Sequence, residues 1–439
     1  MRIGTKTSVL GVASLITAVG LACAMAVPAN ADPIHPNPTT EANETALVGV
    51  GSDTIQDLFT GLTQTVLDQS SSNPVFSSYD AVGSAQIKTR VLGQQFDRPN
   101  GSGPGLTALR SAVEGGTRTT PNNGANVVLR GSDVQFSRSS SFTTPTVAGG
   151  RYAQIPIAVD AVTYATSTRT AGATQTKIPT GIPVGGTPDA ATGTTGNPDD
   201  ITLSNIFAGK GYLSSSVGGT TYKFYSGDLA QSAVASGYTK LDVYVPQSGS
   251  GTRNFWYQAL GLGTNTVLAP GVQDHFNGAV NEEHDGTAVG NDPVGIEPFS
   301  IAQFNAQSNI AEINGDYGTS VVDRRHGVVL NAVADGSNTV VQPTTGAGVL
   351  NTAFPISRPV FVNVEYAQLK INPYLEGAFV DDSNFAVSNS IYDAVNPADF
   401  TTSVINDFGF AKIPAAGFTT PVYPGVTFRQ GDANDYRFN

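Results

Sequence analysis

The sequence predicts an α/β fold of two lobes, with mostly parallel sheets and a cleft between them. The first observation behind this is a recurring unit. A short apolar run, a Gly/Ser/Thr/Asp loop and an amphipathic stretch follow one another, the strand–loop–helix order that builds parallel sheets. The second is size: 439 residues with 39% apolar side chains are enough for more than one core. The third is the chemistry of the surface. Only 13% of residues are charged while 49 are glycine, which gives many tight turns and a surface of hydroxyls and amides.

Residues 1–31 read as a signal peptide. Arg2 and Lys6 form a positive start, SVLGVASLITAVGLACAMAV is the apolar stretch, and Ala29–Ala31 is an A-x-A cleavage site. The mature chain then starts near Asp32 and is secreted. Cys23 lies in GLAC without the Leu three places earlier that a lipidation site carries, so no lipid anchor is expected. That single cysteine leaves with the signal, so the exported chain is held by its cores and not by disulfides. Losing Arg2 and Lys6 moves the net charge from −12 to about −14. An acidic chain without basic patches is a poor partner for nucleic acid, and none is expected.

Residues 32–45 read as a disordered leader. ALVGVG is then a strand. SDTIQDLFTGLTQTVLDQ carries Ile55, Leu58, Phe59, Leu62 and Val66 at the spacing of one helix face, with Ser52 or Asp53 as its N-cap. In NGSGPGLTALRSAVEGG a Gly/Ser loop opens a helix with Leu106, Leu109 and Val113 on one side, ended by Gly115. NVVLRGSDVQFSRSS reads as a strand running into a polar loop, AQIPIAVDAVTYAT as a pair of apolar β runs. Residues 167–200 are a Thr/Gly/Pro-rich surface excursion. ITLSNIFAGK is a short helix, and KLDVYVPQSGSGTRNFWYQALG is again strand, loop and helix. Gly149–Asp160 and Asn351–Tyr366 are extended apolar segments suited to cross between lobes. They assign residues 46–155 and 356–439 to lobe I and residues 156–355 to lobe II.

Four of these loops share one chemistry: Gly51–Thr54, Gly101–Gly105, Gly131–Asp133 and Ser248–Thr252. A helix N-terminus exposes free N–H groups and partial positive charge, Gly lets an anion approach the backbone, and Ser/Thr hydroxyls add donors. Each loop alone is explained by helix capping. Four in one exported α/β chain point to an oxyanion held without net positive charge, at the carboxyl ends of the strands.

In type and order the blocks VGVGSDT, NGSGPG, RGSDVQF, LSNIFAGK, SGSGTRNF and DPVGIEPFSIAQF resemble the phosphate-binding proteins of bacterial ABC transporters, in the type II periplasmic-binding-protein-like superfamily. They span roughly Leu47 to Tyr366. The resemblance implies a two-lobed fold that closes on phosphate and delivers it to a membrane permease, and a site made of Ser52, Asp53, Thr54, Ser102, Ser250, Gly251 and Thr252. It also implies Asp133 as the carboxylate that accepts a proton from the bound phosphate. The family's ligand-pairing arginine falls at Pro246 here, which leaves Arg253 or Arg138 to supply that charge. A different anion or a small sugar stays open as the ligand.

Elsewhere the reading is plainer. NEEHDGTAVGNDP gathers carboxylates around His284, but it reads as a solvated loop, and no metal or cofactor is expected. DRRHG (Asp323–Gly327) reads as a surface turn, and Phe255, Trp256 and Tyr257 as core. No G-x-S-x-G elbow with a matching His and carboxylate is present, so the chain reads as a monomeric binding protein and not an enzyme. A secreted surface or interaction protein that reuses the fold is the alternative.

Overall fold

The computed structural model describes residues 44–117, 119–122, 125–185, 199–263, 267–346, 348–380, 386–388, 390–391 and 400–439. The signal peptide, Cys23 and nearly all of the leader lie outside them, as does most of the second half of the 167–200 excursion. Among the described residues no helix is long and apolar enough to cross a membrane.

One mixed sheet of ten strands organises the chain. In sequence order they are β1 (Leu47–Gly51), β2 (Phe76–Ser78), β3 (Phe136–Ser139), β4 (Tyr152–Ser167), β5 (Asp242–Tyr244), β6 (Val272–Gln273), β7 (Gly295–Ser300), β8 (Val328–Leu330), β9 (Ser357–Glu365) and β10 (Arg437–Phe438). The spatial order is β6-β5-β7-β4-β9-β3-β1-β2, with β8 and β10 also paired to β4. The predicted α/β class holds, with parallel pairing confined to the flanks. β1 is parallel to β2 and β3, and β5 is parallel to β6 and β7, while β4 and β9 form a long antiparallel pair between the two sets.

The register of that central pair positions the site. β3 ends with Ser139 beside Phe361 of β9, which faces Pro156 of β4. β7 ends with Ser300 beside Val162 of β4. The carboxyl ends of the two parallel sets therefore face each other across the middle of β4, around residues 156–162. In α/β sheets this is the end where ligands bind.

β4 reads as two apolar runs but forms one strand of 16 residues, every one buried. Its polar members are satisfied: Gln154 bonds Thr143 and Ser141, and Thr163 bonds the Asn331 carbonyl. Pro156 cannot donate to the ladder, and the register slips opposite it, between Val360 and Phe361. Such a bulge accommodates a proline in a central strand and bends the strand.

Five helices matter for the site: α1 (Gln56–Leu62), α2 (Ser102–Glu114), α3 (Leu203–Phe207), α4 (Gly251–Ala259) and α5 (Ile301–Ser308). α2 ends at Gly115 as its sequence indicates. α3 is capped by Thr202, and α4 by Ser250, whose Oγ accepts from the Arg253 N–H. The first helix differs from expectation. It begins at Gln56, and neither Ser52 nor Asp53 caps it. Phe255, Trp256 and Tyr257 are buried as predicted, with Trp256 edge-on to Phe207 at 5.2 Å.

Candidate functional site

Three of the four Gly/Ser loops converge where the strand ends face each other. The first loop follows β1, the second opens α2 and the fourth opens α4. The Gly103 N–H donates to the Gly249 carbonyl at 3.1 Å, which ties the second loop to the fourth. Thr54 Oγ1 lies 3.1 Å from Thr252 Oγ1, which places the first loop against the fourth. Ser52, Thr54, Ser102, Ser250, Gly251 and Thr252 are thus brought together, and all are buried.

Gly251 is required by space. A Cβ built on it would lie 2.3 Å from Ser102 Oγ and 2.5 Å from Ser140 Oγ. Those two hydroxyls are fixed, since Ser102 Oγ accepts from the Ser140 N–H at 3.0 Å. Gly251→Ala is expected to lower stability by about 1–3 kcal/mol through forced repacking. Urea unfolding checks this, and a variant as stable as the parent would contradict the packing described.

The third loop does not join the others. Asp133 was expected at the site. It lies instead at the opposite end of the strands, because Gly131–Asp133 precedes β3, whose four residues are Phe136–Ser139. Of the apolar run before that loop only Val127 is in a strand, Ala125–Val127, which belongs to a separate two-stranded hairpin. Asp133 Oδ2 accepts from the Arg130 N–H at 2.7 Å, and the Asp133 carbonyl from Thr89 Oγ1 at 2.8 Å. Burial raises its pKa, against the lowering effect of the Arg130 N–H. The position at the carboxyl end of β3 belongs to Ser139–Ser141.

Neither arginine proposed from the sequence hydrogen-bonds a cradle hydroxyl through its guanidinium. Arg138 is fully buried beneath the first loop. Its guanidinium donates to the Ser52, Gly51 and Tyr79 carbonyls at 3.1, 3.1 and 2.7 Å and to Ser78 Oγ at 2.6 Å. It clamps that loop, and burial pulls its pKa down to about 10. Arg253 turns toward Asp274 Oδ2 at 2.8 Å and the Pro246 carbonyl at 3.4 Å.

The arginine at the cradle is Arg358 of β9, which the sequence reading missed. Its Nη2 donates to Thr252 Oγ1 at 2.8 Å and to Asp160 Oδ2 at 2.8 Å, and its Nη1 to the Ser140 carbonyl at 2.9 Å. Asp160, in the middle of β4, also accepts from Ser300 Oγ at 3.0 Å and from the Ala302 N–H at 3.1 Å. Both ionic partners are fully buried. Arg358 also packs over the Phe255 ring, 5.1 Å from its centroid.

The segment expected to be a solvated loop proves to be the centre of the site. Glu282, Glu283 and His284 are buried, the last two completely. The Glu283 carboxylate lies among the cradle hydroxyls. Its Oε1 accepts from Thr54 Oγ1 and from Thr252 Oγ1 at 2.6 Å, and its Oε2 from Ser250 Oγ at 3.2 Å. Each hydroxyl has one proton to give, and Thr54 and Thr252 both spend theirs on Glu283. Arg358, donating to Thr252, orients that hydroxyl toward the carboxylate. Burial works to raise the Glu283 pKa, but His284, the Thr252 and Thr54 hydroxyls and Arg358 together bring it below the usual carboxylate range. The segment is anchored by its backbone: the Ser300 N–H donates to the Glu283 carbonyl at 2.9 Å, and Gln307 Nε2 to the His284 carbonyl at 2.8 Å.

Asp53 lies beside this carboxylate, fully buried, with neither oxygen hydrogen-bonded. Burial, and then the Glu283 charge, hold its pKa well above the ordinary value. Ser52 Oγ is likewise buried without a partner.

A further carboxylate near the Arg138 clamp predicts a pH dependence. Part of Asp80 reaches solvent, yet its Oδ1 is buried without a hydrogen bond. Burial, reinforced by the Asp57 charge, raises its pKa from 3.8 to about 7. The folded state therefore keeps a proton that the unfolded chain releases. The stability this confers is complete below about pH 4 and is lost as pH rises to about 7. Asp80→Asn is expected to flatten the fall in stability between about pH 5 and pH 7.5, by on the order of 1–2 kcal/mol. Urea midpoints at the two pH values measure it, and an unchanged slope in the variant would refute it.

No model of a protein family matches the chain, and no curated protein matches it in sequence. Among solved structures it is similar to an ABC-type phosphate transport receptor from Vibrio cholerae, at 13% identity and a TM-score of 0.41, over 83% of this chain and 99% of that one. A putative phosphate ABC transporter substrate-binding protein with bound phosphate from Clostridium perfringens matches at 11% identity and a TM-score of 0.43, over 84% and 99%. A possible phosphate binding protein from Planctomyces limnophilus matches at 12% identity and a TM-score of 0.35, over 85% and 94%.

Proposed function

We propose that the chain is an exported solute-binding protein whose cradle, between the facing strand ends, takes a small oxyanion, with phosphate the first candidate. One observation carries this reading: the Glu283 carboxylate, itself an oxyanion, receives hydroxyl protons from Thr54, Thr252 and Ser250. The donors are neutral, preset by the backbone of two loops and backed by Arg358. That is the chemistry of an anion site that spends little net charge. The order of the loop motifs favours phosphate among small oxyanions. The signal-like N-terminus supports export, and delivery to a membrane permease follows from the same resemblance. Residues 46–155 with 356–439 and residues 156–355 remain our proposed lobes, with β4 and β9 as the crossing strands.

Glu283 competes for the cradle in this reading, so ligand exchange requires residues 281–285 to withdraw. A second reading has an observation of its own. Glu283 is completely buried and its backbone is held by Ser300, which suits a permanent internal ligand in a secreted interaction protein that reuses the fold. Calorimetric titration of the chain from Asp32 with phosphate, after unfolding and refolding to strip bound anions, tests the first reading. One-to-one binding that Thr252→Val weakens at least tenfold supports it. Binding that Thr252→Val leaves unchanged places the anion elsewhere and overturns it.

A further inference from the structure

The cradle does not use all the chemistry gathered here. Asp53, Glu282 and His284 come together from the loop after β1 and from the 281–285 segment. One ligand atom from each lies within 4.8 Å of the others, and all three residues are buried. His284 Nε2 is 3.2 Å from Glu282 Oε2, and His284 Nδ1 is 3.9 Å from Asp53 Oδ2. These are the separations of an ionic cluster. His284 Nδ1 and both Asp53 oxygens are buried without a hydrogen-bond partner, and His284 Nε2 has only the Glu282 carboxylate. Three unpartnered polar atoms clustered in the interior are unusual, since buried polar groups nearly always find partners.

We propose that Asp53, Glu282 and one ring nitrogen of His284 bind a divalent transition-metal ion of the Zn²⁺ or Mn²⁺ class. Two ligand atoms sharing an ion at about 2.0–2.2 Å each lie about 3–3.5 Å apart, close to the nitrogen–oxygen separation at Glu282. An imidazole with two carboxylates is a mixed N/O donor set that suits such ions and leaves coordination positions open. Two buried carboxylates also gain from the ion what the protein provides only in part, a compensating charge. Access exists on one side: a cavity of about 100 Å³ lined by Phe276, Asn281, Glu282, Asp285 and Thr287 borders the cluster. The ion ties the first loop to the two neighbours of Glu283. Metal binding by these residues does not require the cradle to bind phosphate.

The test is calorimetry of the metal-stripped chain with Zn²⁺, and with Mg²⁺ as the hard-cation control, in phosphate-free buffer, alongside thermal melts. One equivalent of Zn²⁺ at micromolar affinity or tighter is expected, with a raised melting temperature and far weaker Mg²⁺ binding. His284→Ala and Asp53→Asn should each weaken Zn²⁺ at least tenfold. Glu282→Gln borders the cavity and guards against loss of fold in the other two; with an unchanged circular dichroism spectrum, it should also weaken Zn²⁺ at least tenfold. The proposal is overturned if the parent chain takes up no Zn²⁺. It is equally overturned if folded Glu282→Gln and His284→Ala retain full affinity, which would assign the metal to surface histidines such as His275 beside Asp274.

Discussion

Glu283→Ala is expected to raise the affinity for phosphate at least tenfold over the parent chain. In the parent, an incoming anion must displace a carboxylate that is already desolvated and holds hydroxyl protons from Thr54, Thr252 and Ser250. Hydrogen bonds to a charged group contribute about 1.5–3 kcal/mol each, and about 1.4 kcal/mol is a factor of ten in affinity. Removing the internal competitor therefore has room for a large gain even after losses elsewhere. The same change leaves three buried donors without their acceptor, at about 1–3 kcal/mol for each one that water fails to reach. The variant should melt below the parent in phosphate-free buffer and recover much of that loss when phosphate is added. Calorimetry and paired melts measure both effects. A variant that is destabilised and still indifferent to phosphate would show that the hydroxyls serve Glu283 alone, and the reading of a secreted interaction protein would replace ours.

Arg358→Ala should be among the most destabilising single changes in the chain, by about 3–5 kcal/mol, because it strands the Asp160 charge in the interior. Arg358 and Asp160 are both fully buried and 2.8 Å apart. Removing the guanidinium also takes a donor from Thr252 and from the Ser140 carbonyl. The pair couples the two central strands to the cradle, so the double variant Arg358→Ala, Asp160→Ala should cost less than the sum of the single changes by more than about 1 kcal/mol. Urea unfolding of the four proteins gives that cycle directly. Additivity within about 0.3 kcal/mol would mean that the two charges do not depend on each other.

What was legible in the sequence is what local chemistry decides. The helix ending at Gly115, the short helix of ITLSNIFAGK, the buried Phe255–Tyr257 and the Gly/Ser loops that open α2 and α4 follow from patterns within about twenty residues. The errors have a common source. VVL before Gly131 carries a strand-like pattern, yet the sheet takes Phe136–Ser139, so Asp133 was placed on the wrong end of that strand. Ser52 and Asp53 look like caps and are not, which leaves Asp53 without a partner. Arg358 meets Asp160 across 198 positions of sequence, and Glu283 meets Thr54 across 229. A charged segment such as NEEHDG reads as solvated until the donors that bury it are known. One signal was available: SGSGT and GSDT together present more hydroxyl donors than their helices need as caps.

In our proposal the hydroxyls of Thr54, Ser250 and Thr252 form an oxyanion site in which Glu283 is the resident competitor. Anomalous diffraction from co-crystals of the chain from Asp32 with arsenate, a tetrahedral analogue of phosphate, tests it most directly. A single arsenic position is expected within hydrogen-bonding distance of those three hydroxyls, with the Glu283 carboxylate withdrawn. Crystals grown in arsenate that saturates the protein in solution, in which Glu283 keeps all three hydroxyls and arsenic lies elsewhere, would contradict it.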